Sequence, residues 1–447
     1  MKRTVKKLSL MMLSALYFSS EASAVDLMQA WQAAAQYDAQ ISAARNAQIA
    51  GQEKAVQGQA LLLPKLTMGG VTAYSQSAYS PGRGSLPESD SHGETYGYSI
   101  SATQPIYRAE LAASADQLKK QTDLSQVQYR QAEQELILRV SRAYFELLAA
   151  QEKVKLIEAQ KQAVAEQLAF ARKSFEVGVA TITDTDEAQA SYDSILAAEI
   201  VIQNDLQVKS SAFTLLTGLS NETLSAIGDH KQPAAPEPND LQAWLKKADG
   251  SSLNNTSEQL VLDIASREID KYRALSSPTI DLLANYGNDW TSSGLSKSGG
   301  TDQVSGGAIK LQLSIPLYTG GDRSSRLREA AAKKDQQRDT LEVTRRDVEQ
   351  ATKQAFLGVN AGAAQIRALQ QVLKSGESLL ASSKLGREVG VRTTIDVLNA
   401  EQKYYATRYD LVVARYTYLY ARLQLAASVG ELSEKNLIEV NDWLLKK

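Results

Sequence analysis

Residues 107–175 contain neither glycine nor proline. A helix over that run, at ~1.5 Å rise per residue, is roughly 100 Å long. Leu136, Val140, Ala143, Leu147, Ala150, Val154 and Ile157 step along it by alternating fours and threes, the heptad seam of a helix packed lengthwise on another. A rod of that length does not fit inside a compact domain, so the chain folds into something extended.

The rod ends at a turn that occurs twice. Residues 175–184 read FEVGVATITD and residues 387–396 read REVGVRTTID. Each is a Val-Gly break followed by threonine and aspartate. Glycine can take the left-handed conformation that ends a helix, and Thr or Asp just beyond it can cap the next one. The spacing predicts return helices over 184–217 and about 396–429, and so two long hairpins with similar tips.

The rest of the chain is duplicated in the same order. Helices are predicted over 26–63 and 241–275. Leu63-Pro64 and Ser277-Pro278 end them. The chain changes character over 65–80, with Gly69-Gly70, Val71, Tyr74 and Tyr79, and alternation runs from Thr95 to Gln104-Pro105, then in 279–288 and 307–315. A Gly/Ser/Pro-rich loop, Ser80 to Gly93, separates the first strand pair, and a Gly/Ser loop, 289–306, the second. Pro316 lies 211 residues after Pro105, and Gly430 lies 212 after Gly218. The resulting division is 25–225 for the first repeat, 226–240 for a linker with three prolines, 241–430 for the second repeat and 431–447 for a C-terminal tail.

Lys2, Arg3, Lys6 and Lys7, the apolar stretch from Leu8 to Phe18, and Ala22-Ser23-Ala24 have the layout of a secretory signal peptide over 1–24. Setting it aside removes four of 49 basic and one of 51 acidic residues, leaving a net charge near −5. That balance gives no reason to expect a nucleic-acid partner. There is no cysteine, which excludes disulfides and cysteine metal sites. Val25 after the cleavage site excludes a lipoprotein anchor. No later stretch has the roughly 20 apolar residues of a membrane-spanning helix. The exported chain is then either soluble or membrane-spanning as a β-barrel.

Tyr96, Tyr98, Ile100 and Ala102 share one strand face, as do Ile280, Leu282, Ala284 and Tyr286, and Gly307, Ile309, Leu311, Leu313 and Ile315. The alternate faces carry Ser, Thr, Asn, Lys, Gln and Gly. Apolar outside and polar inside is the assignment of a transmembrane barrel in outer-membrane lipid. Four strands leave two open edges, so several protomers must close the wall together. The competing reading is a soluble four-stranded sheet packed on helices.

Leu62-Leu63-Pro64-Lys65-Leu66 before the first strand, the run SIPLYTGG over 314–321 after the fourth, and both tip motifs resemble the TolC family of outer-membrane efflux proteins, over about 25–440. The resemblance implies a mixed α+β membrane protein. It would be a homotrimer with a 12-strand transmembrane β-barrel, four strands per protomer, continued by a long periplasmic α-helical barrel. It implies a periplasmic adaptor (a membrane fusion protein) and an inner-membrane transporter, ABC type or proton-driven, as partners. It also implies closure at the periplasmic end by an iris of tips. The matching link residues are Thr183, Asp184 and Arg392, and the ring residue is Asp396. Two positions depart from the family pattern: Arg387 stands for a link tyrosine, and Asn399 for a second ring aspartate. Arg392 and Asp184 are the expected ion pair across hairpins, with Arg387 as a second donor. Asp396 and Asn399 are one turn apart, so a trimeric ring has three formal charges from these positions rather than six.

Tyr404, Tyr405, Tyr409, Tyr416, Tyr418 and Tyr420 either line the tunnel or pack. Tyr74, Tyr96, Tyr98, Tyr286 and Tyr318 form interfacial belts or a core. Asp184, Asp186 and Glu187 hold a cation or start a helix. His92 and His230 are the only histidines, and no catalytic constellation, cofactor or metal site is expected. Three functional readings remain: an exit duct, a periplasmic coiled-coil adaptor and a secreted enzyme.

Overall fold

The computed structural model describes residues 24–80, 82, 89–220, 223–228, 231–296 and 298–444. The expected signal peptide as far as Ser23, most of the loop after Ser80, and His230 lie outside them. In chain order, α1 (Leu27–Tyr37), α2 (Ala39–Ala60), β1 (Lys65–Tyr79), β2 (Ser89–Tyr107), α3 (Ala109–Glu176) and α4 (Ile182–Thr217) are followed by the same series again. The second series is α5 (Leu241–Ser251), α6 (Leu253–Ala274), β3 (Thr279–Ser292), β4 (Thr301–Ser314), α7 (Asp322–Glu388) and α8 (Thr394–Ser428), with α9 (Glu434–Asn441) last. The two rods α3 and α7 contain 68 and 67 residues.

The helix expected over 26–63 is two helices, and so is the one over 241–275. Asp38 causes the first break. It leaves helical geometry, accepts from the Ile41 N–H as N-cap of α2, and its carboxylate meets Arg139 of α3 at 2.5 Å. Burial raises the Asp38 pKa, but the Arg139 hydrogen bond and charge outweigh it and hold the carboxyl below its usual range. Ser252 breaks the second helix at the matching place.

The four strands form one antiparallel meander in the order β1-β2-β3-β4. β2 starts at Ser89, earlier than the alternation from Thr95 suggested, because the hairpin register continues through Gly93↔Ser75 to Ser89↔Tyr79. It also runs past Pro105 to Tyr107. Proline lacks the ladder N–H, and the register shifts there between Pro105 and Tyr107, a local irregularity that accommodates it. Just beyond, Arg108 holds Asp281 of β3 through two bonds, Nε to Oδ1 at 2.8 Å and Nη2 to Oδ2 at 2.6 Å. This fork ties the start of α3 to the sheet.

Cross-strand register puts Met68, Ile100, Tyr286 and Gly307 in one row and Leu66, Ala102, Ala284 and Ile309 in the next. This face is apolar and uncovered: Leu66 is 73% and Ile309 78% exposed. The other face carries Thr67, Ser99, Ser101, Asn285, Lys310 and Gln312. No helix packs across the sheet among the described residues, so the soluble sheet-on-helix reading fails. Tyr96 stacks on Trp290 at 5.3 Å near the loop end, and Tyr74 and Tyr286 are also exposed on this side. From Ile280 to Trp290 the apolar face covers ten residue steps. At ~3.3 Å per step and ~40° tilt this gives about 25 Å, the height of a transmembrane apolar band.

The main core lies midway along the two long helices α3 and α7. Leu136 to Leu148 of α3, Phe356 to Ile366 of α7 and Leu411 to Leu425 of α8 meet α1 and α9 there. Tyr144 is fully buried, with its hydroxyl 3.0 Å from the carbonyl oxygens of Val25 and Ser225. Tyr416 and Tyr418 are buried packing residues rather than tunnel-lining ones. The C-terminal stretch is not a loose tail. Leu437, Val440, Trp443 and Leu444 are buried, and Asn441 accepts from the Leu27 N–H at 3.0 Å, capping α1.

Candidate functional site: the hairpin tips

Both tips turn through a left-handed glycine, Gly178 at φ +78° and Gly390 at φ +80°. A Cβ at either would meet nothing within 4 Å, so the backbone angle, not space, is what requires glycine. The N–H of Val179 donates to Ser174 O at 2.9 Å, and that of Val391 to Gly386 O at 2.8 Å.

The return helices start with identical capping boxes. Thr181 caps α4: its hydroxyl accepts from Asp184 N at 3.2 Å, while Asp184 Oδ2 accepts from Thr181 N at 2.9 Å and Oγ1 at 2.7 Å. Thr393 caps α8 in the same way. Its hydroxyl accepts from Asp396 N at 3.2 Å, and Asp396 Oδ2 accepts from Thr393 N and Oγ1, both at 2.9 Å. The caps are therefore Thr181 and Thr393, with the aspartates at N3. Thr183, one residue into the helix, is exposed. The T-x-x-D spacing was legible at both tips as a capping box. It also assigns Asp184 to a helix start and not to a cation site.

Asp184 and Asp396 are thus the same residue of the repeat. The two motifs differ at four positions, and the one before the cap is Ala180 in one tip and Arg392 in the other. Arg392 Nη1 lies 3.7 Å from Asp396 Oδ1. Within the protomer its ion pair is with its own hairpin, not with Asp184 as the sequence suggested. The capping geometry explains this: Asp396 is held four residues away, on the turn above Arg392. Gly386 also matters, because a Cβ there would sit 2.7 Å from Arg392 Cγ. Its absence lets the arginine stem lie across the last turn of α7.

Arg387 was expected as a second donor to Asp184. Its guanidinium instead lies over the Phe170 ring of α3, 4.4 Å from the centroid, with Nε and Nη1 buried and without hydrogen-bond partners. A planar guanidinium suits an aromatic face, and this contact joins the two hairpins inside one protomer. Leu398 makes a second junction, packing with Val164, Leu168, Ala171 and Ala188 of the first hairpin.

Asp396 and Asn399 both lie off the buried stripe of α8, formed by Thr394, Val397, Leu398 and Ala400. The Thr393 backbone N–H and hydroxyl hold the Asp396 carboxyl below its usual pKa, and Arg392 adds to this. Among the described residues the tip presents fixed charges, Asp396 with Arg392 beside it.

A sheet that is apolar on one face and polar on the other, continued by two helices of 68 and 67 residues, each about 100 Å long, defines a membrane duct rather than an adaptor or an enzyme. The family model described as outer membrane efflux protein matches residues 23–219 and 256–431, and the chain belongs to that family. It is 30% identical to outer membrane protein TolC of Vibrio cholerae serotype O1, over 95% of each chain. It is also 30% identical to proteases secretion protein PrtF of Dickeya chrysanthemi, over 94% of this chain and 92% of the relative. The solved Campylobacter jejuni CmeC outer membrane channel has the same fold. Its TM-score is 0.77 at 16% identity, over 94% of this chain and 90% of the other. The protein is an outer-membrane exit duct of tripartite efflux or type I secretion systems in Gram-negative bacteria, with its helices in the periplasm. Members of the family form trimers.

Proposed function

We propose that the six tips of the trimer close the periplasmic end of this duct, and that Arg392 is the main latch. The supporting observation is an asymmetry between two tips whose turns and caps match: an arginine, Arg392, stands before the cap in one, and Ala180 stands there in the other. Asp184 uses Oδ2 for its cap, which leaves Oδ1 to receive Arg392 of a neighbouring protomer. Asp396 forms the constriction ring, and Asn399 stands beside it as a ring of amides. Arg387 braces the closed state from inside the protomer rather than from across it.

The partners are a periplasmic adaptor and an inner-membrane transporter of the ABC or proton-driven type. Val179 and Val391 are 77% and 76% exposed at the tips, and Val177 and Val389 beside them are exposed as well. Apolar side chains grouped at the far end of a rod suit a docking partner. The transporter selects the cargo, and the duct supplies a polar passage.

The test is single-channel conductance of the purified trimer in a planar bilayer, wild type beside Arg392→Ser. A small cation-selective conductance that rises sharply in the variant is the expected result. An unchanged current moves the gate away from the tips.

A further inference from the structure

The second hairpin buries a carboxylate where the first carries an amide. Glu401 continues the stripe Thr394, Val397, Leu398 along α8 at helical spacing, and it is fully buried. Neither of its oxygens has a hydrogen-bond partner. Among the described residues one cation reaches it, Lys384 of α7, with Nζ 2.9 Å from Oε1. The contact is ionic and not aligned as a hydrogen bond. The Lys384 side chain is 42% exposed, so an ammonium at the water's edge faces a carboxylate in the interior.

At the matching positions, 212 residues earlier, stand Arg172 and Gln189, paired at 2.6 Å on an exposed face. The turns and caps of the two tips agree bond for bond, so the difference is not something the turn requires. A buried carboxylate is a poor means of adding stability, and removing its partner leaves an uncompensated charge. The best-attested use of such a group on a helical seam is to specify register.

We propose that Lys384 and Glu401 are a positioning pair for the gate, fixing the register of α7 against α8 so that the second tip sits where it closes the duct. The proposal rests on the reading of the tips as the gate. Asp396 and Asn399 precede Glu401 by five and two residues, within ~8 Å along the helix axis. Leu398, one turn before Glu401, packs into the first hairpin, so the register of α8 is carried to α3. A slip of α7 by one turn would withdraw the ammonium from the carboxylate, and no second ion pair to Glu401 exists among the described residues.

The experiment compares closed-state conductance and the trimer's heat-dissociation temperature for wild type, Lys384→Met, Glu401→Gln, the double variant, Lys384→Arg and Arg392→Ser. Either single neutralisation is expected to raise conductance several-fold. The double variant is expected to open no further than the singles, because the two act as a unit. Lys384→Arg, which keeps the cation, is expected to stay closed. A structural role alone would lower the dissociation temperature without opening the channel. Single variants that stay closed while Arg392→Ser opens overturn the positioning role and leave the gate standing. Additive opening overturns the pair. If Arg392→Ser and the single variants all stay closed, the gate reading itself fails. If Lys384→Met yields no trimer, Glu401→Gln decides, since it strands no charge.

Discussion

Arg392 Nη1 and Asp396 Oδ1 are 3.7 Å apart across the first turn of α8, while the other oxygen of Asp396 is occupied by the N-cap of the same helix. One carboxylate therefore serves two purposes: it completes the capping box of α8 and it receives Arg392. In the gate proposed above it would also line the constriction, so disturbing one contact should affect the others.

The pH response follows from this sharing. A carboxyl with a lowered folded pKa contributes stability above its unfolded value of about 3.8, and that contribution is lost as pH falls through the folded value. The cap and the ring charge of Asp396 should therefore persist to below pH 3.8. Arg392 is one of the lowering influences, so Arg392→Ser should move the loss of cation selectivity to higher pH. Reversal potentials titrated between about pH 5 and 2.5 check this. A midpoint that stays put or moves down would rule out the coupling.

Asn399→Asp adds a second carboxylate one turn from Asp396. Three more formal charges in a narrow mouth favour cations. The variant should show a larger reversal potential in a salt gradient and stronger block by multivalent cations than wild type. Equal values would show that the side chain at 399 does not face the passage.

Thr393→Ala removes one side of a capping box and should weaken the start of α8 by about 1 kcal/mol. Thr181→Ala should do the same to α4. Amide exchange in the first turn should rise about fivefold in each variant, with little change in the mid-helix core. A global rise in exchange would mean that the tips carry more of the fold than their exposure indicates.

Tyr144→Phe keeps the buried ring and removes the hydroxyl that meets Val25 O and Ser225 O. The expected loss is about 1 kcal/mol, and no more than ~3 kcal/mol. The ring itself is worth more, so Tyr144→Ala should lose ~3–5 kcal/mol. Denaturant midpoints of the detergent-solubilised protein distinguish the two. Channel closure should be unaffected by Tyr144→Phe, because the residue sits far along α3 from the tip.

Periodicity carried most of the fold. The long rods, the duplicated order and the faces of the strands all depend on which residues repeat at 3.5 or at 2, and those repeats are visible in one dimension. The breaks at Asp38 and Ser252 were not visible, because a cap inside an apolar-periodic run is decided by a distant partner, here Arg139 on α3. The packed role of Leu437, Val440 and Trp443 was missed for a different reason: the eight residues of α9 give too short a pattern to read. At the tips, the repeated motif located both turns and both caps. The partners of Arg392 and Arg387 were beyond it, since Phe170 and Gly386 act through contacts that no spacing encodes.

β1 and β4 are the two outer strands of the sheet, 15 and 14 residues long. A protomer reaching the membrane alone would carry two rows of unmatched peptide groups into hydrocarbon, each unmatched group costing several kcal/mol. No side chain of this protomer can remedy that; only another copy can. The lipid therefore acts as an inspector of assembly. It rejects partial rings, and a working duct and a complete set of subunits reach the membrane as one event.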